Sequence, residues 1–506
     1  MNKLPTATEL MKDYLDFSPR EAQAKSTKAP TEVFIKMGQD KSLEAFQTAS
    51  KSVPAYKDFL KKNKVKPENI KSYSDFQQVP LTNKENYLSK YPLKDRLLGG
   101  NYVGKASITS SSGSSGKPFY WPRMPIQDFG AAKGFDSFLV NSFDIDKKST
   151  LHINCSGMGV WTAGDYVAML DRYLSYKYPN NSSISPGIDL DNTTQLIKDV
   201  GPDFDQVIVY GYPPFIKDLV DNLPAKIFSG TSFKLVLYGE TFTESLRDYL
   251  LKKVKSTNDQ RTVVSILGTS EAGIVGIEEP NSVLVRQTAE SDKTLSKKLF
   301  NTDIVPCLVQ FNPMSKMVEI VGSQIVMTFL AGLPLIRYDT KDAGGIITAE
   351  EIETLFSKTS KKSYAKTLDK ENIPNTKLPF LYVSGRSDFA ATIYGVSIVP
   401  EMIKDSIAKD DLAELLSGKF VMQTKYDQNS DQYLEIIAEI KKDKSVNDIK
   451  TINIDQKIAK NLQTVCSEYG KLFDAMGDRV IPHVICKNYG DQEYFSSKNK
   501  HKYLIK

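Results

Sequence analysis

Residues 107–118 read Ser107-Ile108-Thr109-Ser110-Ser111-Ser112-Gly113-Ser114-Ser115-Gly116-Lys117-Pro118. The run is dense in hydroxyls, carries two glycines and closes on a single lysine. Glycine lets the backbone curl into an anion-receiving nest, hydroxyls add donors, and one ammonium supplies a point charge. Residues Thr109 to Lys117 therefore read as a loop built for a polyphosphate. The order differs from the Walker loop, because Pro118 follows the lysine where that motif needs Ser or Thr. A Ser/Gly run can also be a flexible linker. Here Phe119, Tyr120 and Trp121 follow at once, as expected of a loop between strands inside a domain.

Outward from this loop, short β-branched runs at 151–154, 206–210, 233–237 and 263–267 each end in Gly or in a turn. Between the last two lies a helical pattern over 243–254. Alternating strand and helix at this spacing predicts an open, largely parallel sheet whose ligands sit beyond the C-terminal strand ends. Residues before 90 read as mostly helical, with apolar residues at helical spacing over 33–46 and 56–60. From 303 to 346 the pattern turns to strands with Gly-bearing turns, a β-rich subdomain. The Lys, Ser and Thr of 357–377 suggest an exposed insertion loop. After Asp388 a compact unit begins, with strands at 420–424, 433–440 and 479–485 and a helix over 447–469. The expected fold is α/β: a large N-terminal domain over 1–387 and a small α+β C-terminal domain over 388–506.

The chain has 506 residues, more than a single core accommodates, and 40% hydrophobic residues, enough to fill several. A net charge of +5, with Lys spread along the chain, indicates a solvated surface and excludes a nucleic-acid footprint. The four Cys, at 155, 307, 466 and 486, lack paired metal-ligand spacing. The N-terminus has no apolar leader pattern and no run is long enough to span a membrane, so a soluble, reduced, cytoplasmic protein is expected.

In order along the chain, several segments resemble the adenylate-forming superfamily of acyl-CoA synthetases and related ligases. Loop 109–117 is similar to its phosphate-binding loop, Tyr238-Gly239-Glu240 to its adenine turn, and Leu267-Gly268-Thr269-Ser270-Glu271 to its aromatic-Gly-x-Thr/Ser-Glu motif. Residues 334–342, with Arg337 and Asp342, resemble the ribose segment, and Arg386 to Asp388 the hinge. Residues 53–56, 70–76 and 79–85 resemble the phenylacetate-CoA ligase-like branch. The likeness covers about residues 50 to 506 and departs from the pattern twice: Leu267 stands where an aromatic is usual, and Lys341 where Gly usually precedes the Asp.

The resemblance implies an AMP-forming acid–thiol ligase. A carboxylate attacks MgATP to give an acyl-adenylate and pyrophosphate, then a thiol, coenzyme A or that of a carrier protein, displaces AMP. An adenylyltransferase, an acyl-protein synthetase or a catalytically weakened binding protein are the alternatives, and a homodimer is compatible. Glu271 becomes the Mg²⁺ ligand, Asp342 the acceptor for the ribose hydroxyls, and Arg337 and Arg386 nucleotide contacts, with a structural ion pair the other reading of Arg337. Lys500 becomes the lysine that offsets charge in the adenylation transition state, although it shares its segment with Lys498 and Lys502. Asp388 is the pivot on which the C-terminal domain is mobile. Trp161, Tyr210, Gly211 and Tyr212 are expected to line the acid pocket, with Tyr238 a substitute for the missing aromatic. His152, on an apolar strand, reads as a satisfied core residue.

Overall fold

The computed structural model describes residues 5–110, 119–160, 162–256, 258–302, 305–359, 363–385, 390–394, 396–409, 411–427, 432–450, 452–495 and 503–504. The strands are β1 (Ser107–Ser110), β2 (Tyr120–Arg123), β3 (Thr150–Asn154), β4 (Asn181–Ile184), β5 (Gln206–Gly211), β6 (Ser232–Tyr238), β7 (Val263–Thr269), β8 (Gly273–Ile277), β9 (Cys307–Gln310), β10 (Met317–Val321), β11 (Gln324–Phe329), β12 (Leu335–Ile347), β13 (Phe380–Gly385), β14 (Ala391–Ile393), β15 (Val396–Ile398), β16 (Leu416–Tyr426), β17 (Gln432–Ile440) and β18 (His483–Lys487).

An 11-stranded sheet in the order β10-β11-β12-β13-β9-β8-β7-β6-β5-β3-β4 forms the frame. Strands β3 to β7 pair in parallel, and β5, β6 and β7 at the centre are the mostly apolar runs expected where both faces are covered. Alternate residues go to opposite faces. Ile208, Tyr210, Val236 and Val264 pack under the helices Pro125–Phe143 and Thr162–Lys177. Val207, Val209, Leu235 and Val263 pack under Pro213–Asn222 and Glu244–Lys253. Pro at the first turn of Pro125–Phe143 and of Pro213–Asn222 suits a position whose N–H has no helical partner.

The β-rich region after 303 is the antiparallel half of this same sheet, hydrogen-bonded to the rest through β8 and β9. The helix Thr31–Ser52 covers it. The expected insertion loop over 357–377 instead contains the helix Tyr364–Lys370, whose Tyr364 and Leu368 are buried one turn apart. Its Lys366 and Lys370 face solvent, and such residues hid the two anchors from a compositional reading.

Residues from 391 on build a separate core of Ile393, Ile403, Phe420, Met422, Leu434, Ile436, Ile458 and Leu462 around the sheet β16-β17-β18. The long helix expected over 447–469 is three, Val446–Lys450, Ile454–Val465 and Ser467–Met476. Asn453 and Cys466 cap the second and third.

Candidate active site

The C-terminal ends of β5, β6 and β7 lie side by side, with Gly211 opposite Leu237 and Tyr238 opposite Ile266. Beyond β6 the chain turns at Gly239, whose φ of +86° favours glycine, and presents Glu240. Tyr212 borders the same turn: a Cβ on Gly239 would lie 3.9 Å from that of Tyr212. Antiparallel β1 and β2 form a hairpin, with Ser110 opposite Tyr120, that brackets the hydroxyl-rich loop. Its base is seated on the first turn of the helix Thr162–Lys177. The Thr162 hydroxyl donates to Thr109 Oγ1 at 2.9 Å, and the Ser110 N–H donates to the Val160 carbonyl at 2.8 Å. Residues 111–117 of the loop, and with them Ser111, Ser112, Gly113, Ser114, Ser115, Gly116 and Lys117, lie outside the described residues, as do Trp161, Arg386, Asp388 and Lys500.

Glu271 stands in the tight turn between β7 and β8, where Thr269 Oγ1 accepts from the Ala272 N–H at 3.1 Å. Gly273 closes this turn at φ +67°, and a Cβ there would lie 3.1 Å from Arg123 Nη2. Glu271 and Asp342 come together around the buried Tyr338 hydroxyl. Burial first, then the charges of Glu271, Glu85, Asp339 and Asp342, push that hydroxyl well above its ordinary pKa. Among the described residues no group of three or more His, Cys, Asp or Glu is arranged to hold a metal ion. A magnesium ion bound largely through phosphate oxygens and water needs only one or two carboxylates, and the set around Glu271 fits that demand.

Residue 341 takes φ +67°, the backbone that the absent glycine would adopt freely. Lys341 holds it with help from Asp339, which accepts from the Lys341 N–H at 2.9 Å and pairs with its ammonium at 2.7 Å. The turn geometry before Asp342 is therefore kept despite the substitution. Segment 79–85 docks here too, Thr82 exchanging backbone hydrogen bonds with Arg337 and Asp339 on β12.

Three expected contacts sit elsewhere. The Arg337 guanidinium is buried, donating to the carbonyls of Gln77 and of Val79 (2.6 Å) and facing Glu319 at 3.4 Å, so it braces the segment after residue 76 and cannot reach a nucleotide. Tyr210 is fully buried, its hydroxyl 2.7 Å from His152 Nδ1. It belongs to the core, so Tyr210 does not line a pocket. Tyr238 points inward as well, its hydroxyl bonded to Ser156, which leaves its ring no free face to stack on a base. Leu267 and Gly268 end β7 beside Gly276 and Ile274, and Ser270 follows in the turn.

Sequence reasoning missed the contacts that the C-terminal unit makes here. Lys404 pairs with Glu240 at 3.1 Å, the Tyr503 hydroxyl donates to the same carboxylate, and Thr241 Oγ1 donates to Glu401 at 2.7 Å. No local pattern joins residues more than 150 positions apart. The turn itself is braced from beneath by Glu244, Arg247, Glu278 and Arg286, all buried. Arg247 and Arg286 both reach Glu278 Oε1, at 2.7 and 2.8 Å, and Arg286 also donates to the Phe242 carbonyl at 2.8 Å.

No family profile matches the chain. It is 22% identical over 377 residues to phenylacetate-coenzyme A ligase of Escherichia coli (strain K12), covering 71% of this chain and 73% of that one. It is 21% identical over 378 residues to the enzyme of the same name from Pseudomonas putida, with 71% and 72% covered. Among solved structures, 2-hydroxyisobutyryl-CoA ligase in a postadenylation state matches all of this chain and 94% of its own, with a TM-score of 0.64 at 14% identity, a likeness of fold.

Proposed function

We propose, from the premise that this chain belongs to the adenylate-forming superfamily on its phenylacetate-CoA ligase-like branch, that it joins a carboxylic acid to coenzyme A through an acyl-adenylate. One observation carries the reading. The turns Gly239-Glu240 and Thr269-Ser270-Glu271 follow the adjacent strands β6 and β7 beyond their parallel pairing, at the strand ends where a nucleotide would meet both, and Glu271 and Asp342 both act electrostatically on the Tyr338 hydroxyl.

Loop 109–117 would cradle the phosphates, the Gly239-Glu240 turn would face adenine, and Asp342 would accept from the ribose hydroxyls. Glu271 would hold Mg²⁺, which neutralises phosphate charge and polarises the α-phosphorus. Gly211 and Tyr212 border the space left for the acid, and Trp161 completes that wall in this reading. The acid's carboxylate oxygen attacks the α-phosphorus and pyrophosphate leaves, with Lys500 as the cation offsetting charge as it develops. The C-terminal unit then pivots near Asp388, and the thiol attacks the acyl carbon and expels AMP. Two steps serve because a carboxylate oxygen is a poor leaving group and AMP a good one.

The test is acid-dependent ATP–pyrophosphate exchange across a panel of carboxylic acids that includes phenylacetate and 2-hydroxyisobutyrate, followed by thiol-dependent AMP release. Glu271→Gln removes charge but little volume, and should cut exchange by about 10²-fold or more while the protein stays folded. ATP binding without exchange for any acid would defeat the ligase reading in favour of a binding protein. Exchange without thiol-dependent AMP release would favour an adenylyltransferase.

A further inference from the structure

Glu240 occupies the turn assigned to adenine, yet its carboxylate faces the C-terminal unit. Its side chain is only 8% exposed, and Lys404 at 3.1 Å is 12% exposed. Lys404 also donates to the Thr241 carbonyl at 3.1 Å and lies 4.3 Å above the Tyr503 ring. The Tyr503 hydroxyl donates to the same Glu240 oxygen that Lys404 meets. Burial, then the charges of Glu240 and Glu401, hold that hydroxyl in its protonated, donating form.

Each partner is itself fixed within the C-terminal unit. Lys404 belongs to the helix Pro400–Ile407, whose Glu401 and Asp405 accept from Thr241 and Ser245, each at 2.7 Å. Tyr503 is pinned to β16: its carbonyl accepts from the Met422 N–H at 2.7 Å, and its ring lies 4.9 Å from that of Phe420. Two separate parts of the unit thus meet on one desolvated carboxylate of the nucleotide turn. A carboxylate so buried needs both partners, and neither stays if the unit moves away.

We infer that Lys404 and Tyr503 are positioning residues, forming with Glu240 a latch that selects the docked pose of the C-terminal unit for the adenylation step. The inference rests on the ligase reading above. The link to adenylation follows from the sequence: Tyr503 lies three positions after Lys500, the lysine that the ligase reading assigns to the adenylation transition state. Misplacing a catalytic group by about 1 Å can cost on the order of 10²-fold in rate.

The experiment measures both half-reactions in Tyr503→Phe, Lys404→Met and the double variant. Exchange is driven by phenylacetate, or by the acid of the panel that drives it best, and thioester formation starts from the matching supplied acyl-adenylate. Each single variant should lower the kcat of exchange by about 10-fold or more with KM for ATP within about 3-fold, and leave thioester formation within about 2-fold of wild type. The double variant should fall little further than the worse single, because both act on one carboxylate. Lys404→Arg should restore part of the loss. Equal losses in both half-reactions, or no loss in an enzyme whose wild type exchanges, overturn the latch alone. A wild type that exchanges with no acid overturns the ligase reading and the latch with it.

Discussion

The pair His152 and Asp171, buried beneath β3, gives the protein a testable response to acid. His152 is fully buried, with Nε2 2.8 Å from Asn181 Oδ1 and Nδ1 2.7 Å from the Tyr210 hydroxyl. Asn181 spends its amide nitrogen on the Ile145 carbonyl at 2.8 Å, so its oxygen faces His152, which makes Nε2–H the donor and Nδ1 the acceptor. That is a neutral imidazole, and burial, against the smaller pull of Asn181, lowers its pKa to about 4 from 6.5. Asp171 lies 3.6 Å from Nδ1, and burial raises its carboxyl far above the usual range. In the folded chain burial thus favours the neutral acid at Asp171 and the neutral imidazole at His152, so the two contributions to the pH dependence of stability oppose one another. Asp171→Asn breaks the balance: the unfolded state still binds the His152 proton and the folded state does not, so stability falls as pH drops from 6.5 to 4. At 1.36 kcal/mol per unit the loss is about 3 kcal/mol. Urea denaturation of Asp171→Asn against Asp171→Asn/His152→Asn over pH 4 to 7.5 isolates it, because every other titration is common to both. A difference that stays constant with pH would show that folded His152 takes up a proton near its ordinary pKa, and the neutral-pair argument would fall.

The buried quartet beneath the adenine turn balances two guanidinium groups against two carboxylates. Glu278→Gln leaves one positive charge uncompensated at a site without exposure, and should cost about 3–5 kcal/mol in urea denaturation. A loss below about 1 kcal/mol would mean that water reaches the site. At position 341, Lys341→Gly relieves a left-handed backbone worth about 1–2 kcal/mol. Against this it gives up about 0.5–1 kcal/mol of chain entropy and a half-exposed ion pair worth at most about 1 kcal/mol. Stability should therefore move by less than about 1 kcal/mol, and exchange activity should be kept. Lys341→Val, β-branched at positive φ, should destabilise clearly in the same melts, and a tolerated Val would refute the strain argument.

The parallel half of the sheet was legible because strands covered on both faces are mostly apolar, and 206–210, 233–237 and 263–267 each carry a single polar residue among apolar ones. The turn after β6 was legible for a related reason: Gly239 marks a positive φ, which few other residues accept. The antiparallel half was visible as strands but not as part of the same sheet, since β13 reaches β9 across some 70 residues and local pattern says nothing of that pairing. Arg337 and Tyr210 misled because their residue types suit a site as well as a core, and only burial decides between them. Lys341 shows the converse: a departure in residue type that the backbone absorbs, through Asp339, without a departure in geometry.

The turn Gly239-Glu240 is held differently on its two sides, and the difference bears on which side can move. Beneath it, the quartet joins the helices Glu244–Lys253 and Pro280–Ser291 to the end of β8, elements whose apolar residues are buried in three neighbouring core clusters. Those charges cannot part without separating elements packed in the N-terminal part. Above it, the C-terminal unit packs Ala413 into the core beneath Pro213–Asn222 and otherwise meets the N-terminal part through many polar groups, among them Lys441 on Asp221 at 2.7 Å, Tyr489 on Asp218 at 3.0 Å, Lys217 on the Leu416 carbonyl at 2.8 Å, and the Glu240 cluster. When such an interface opens, water takes up each charge, and the desolvation recovered nearly offsets the attraction lost. An apolar interface of equal area would have no such compensation and would hold the unit closed. Under the proposed reading, in which the unit docks for one half-reaction and turns for the next, contacts of this kind serve both, specific in register and small in net free energy. Pose selection should therefore respond to Lys404 and Tyr503, whereas substitutions at Arg247 or Arg286 should register first as lost stability.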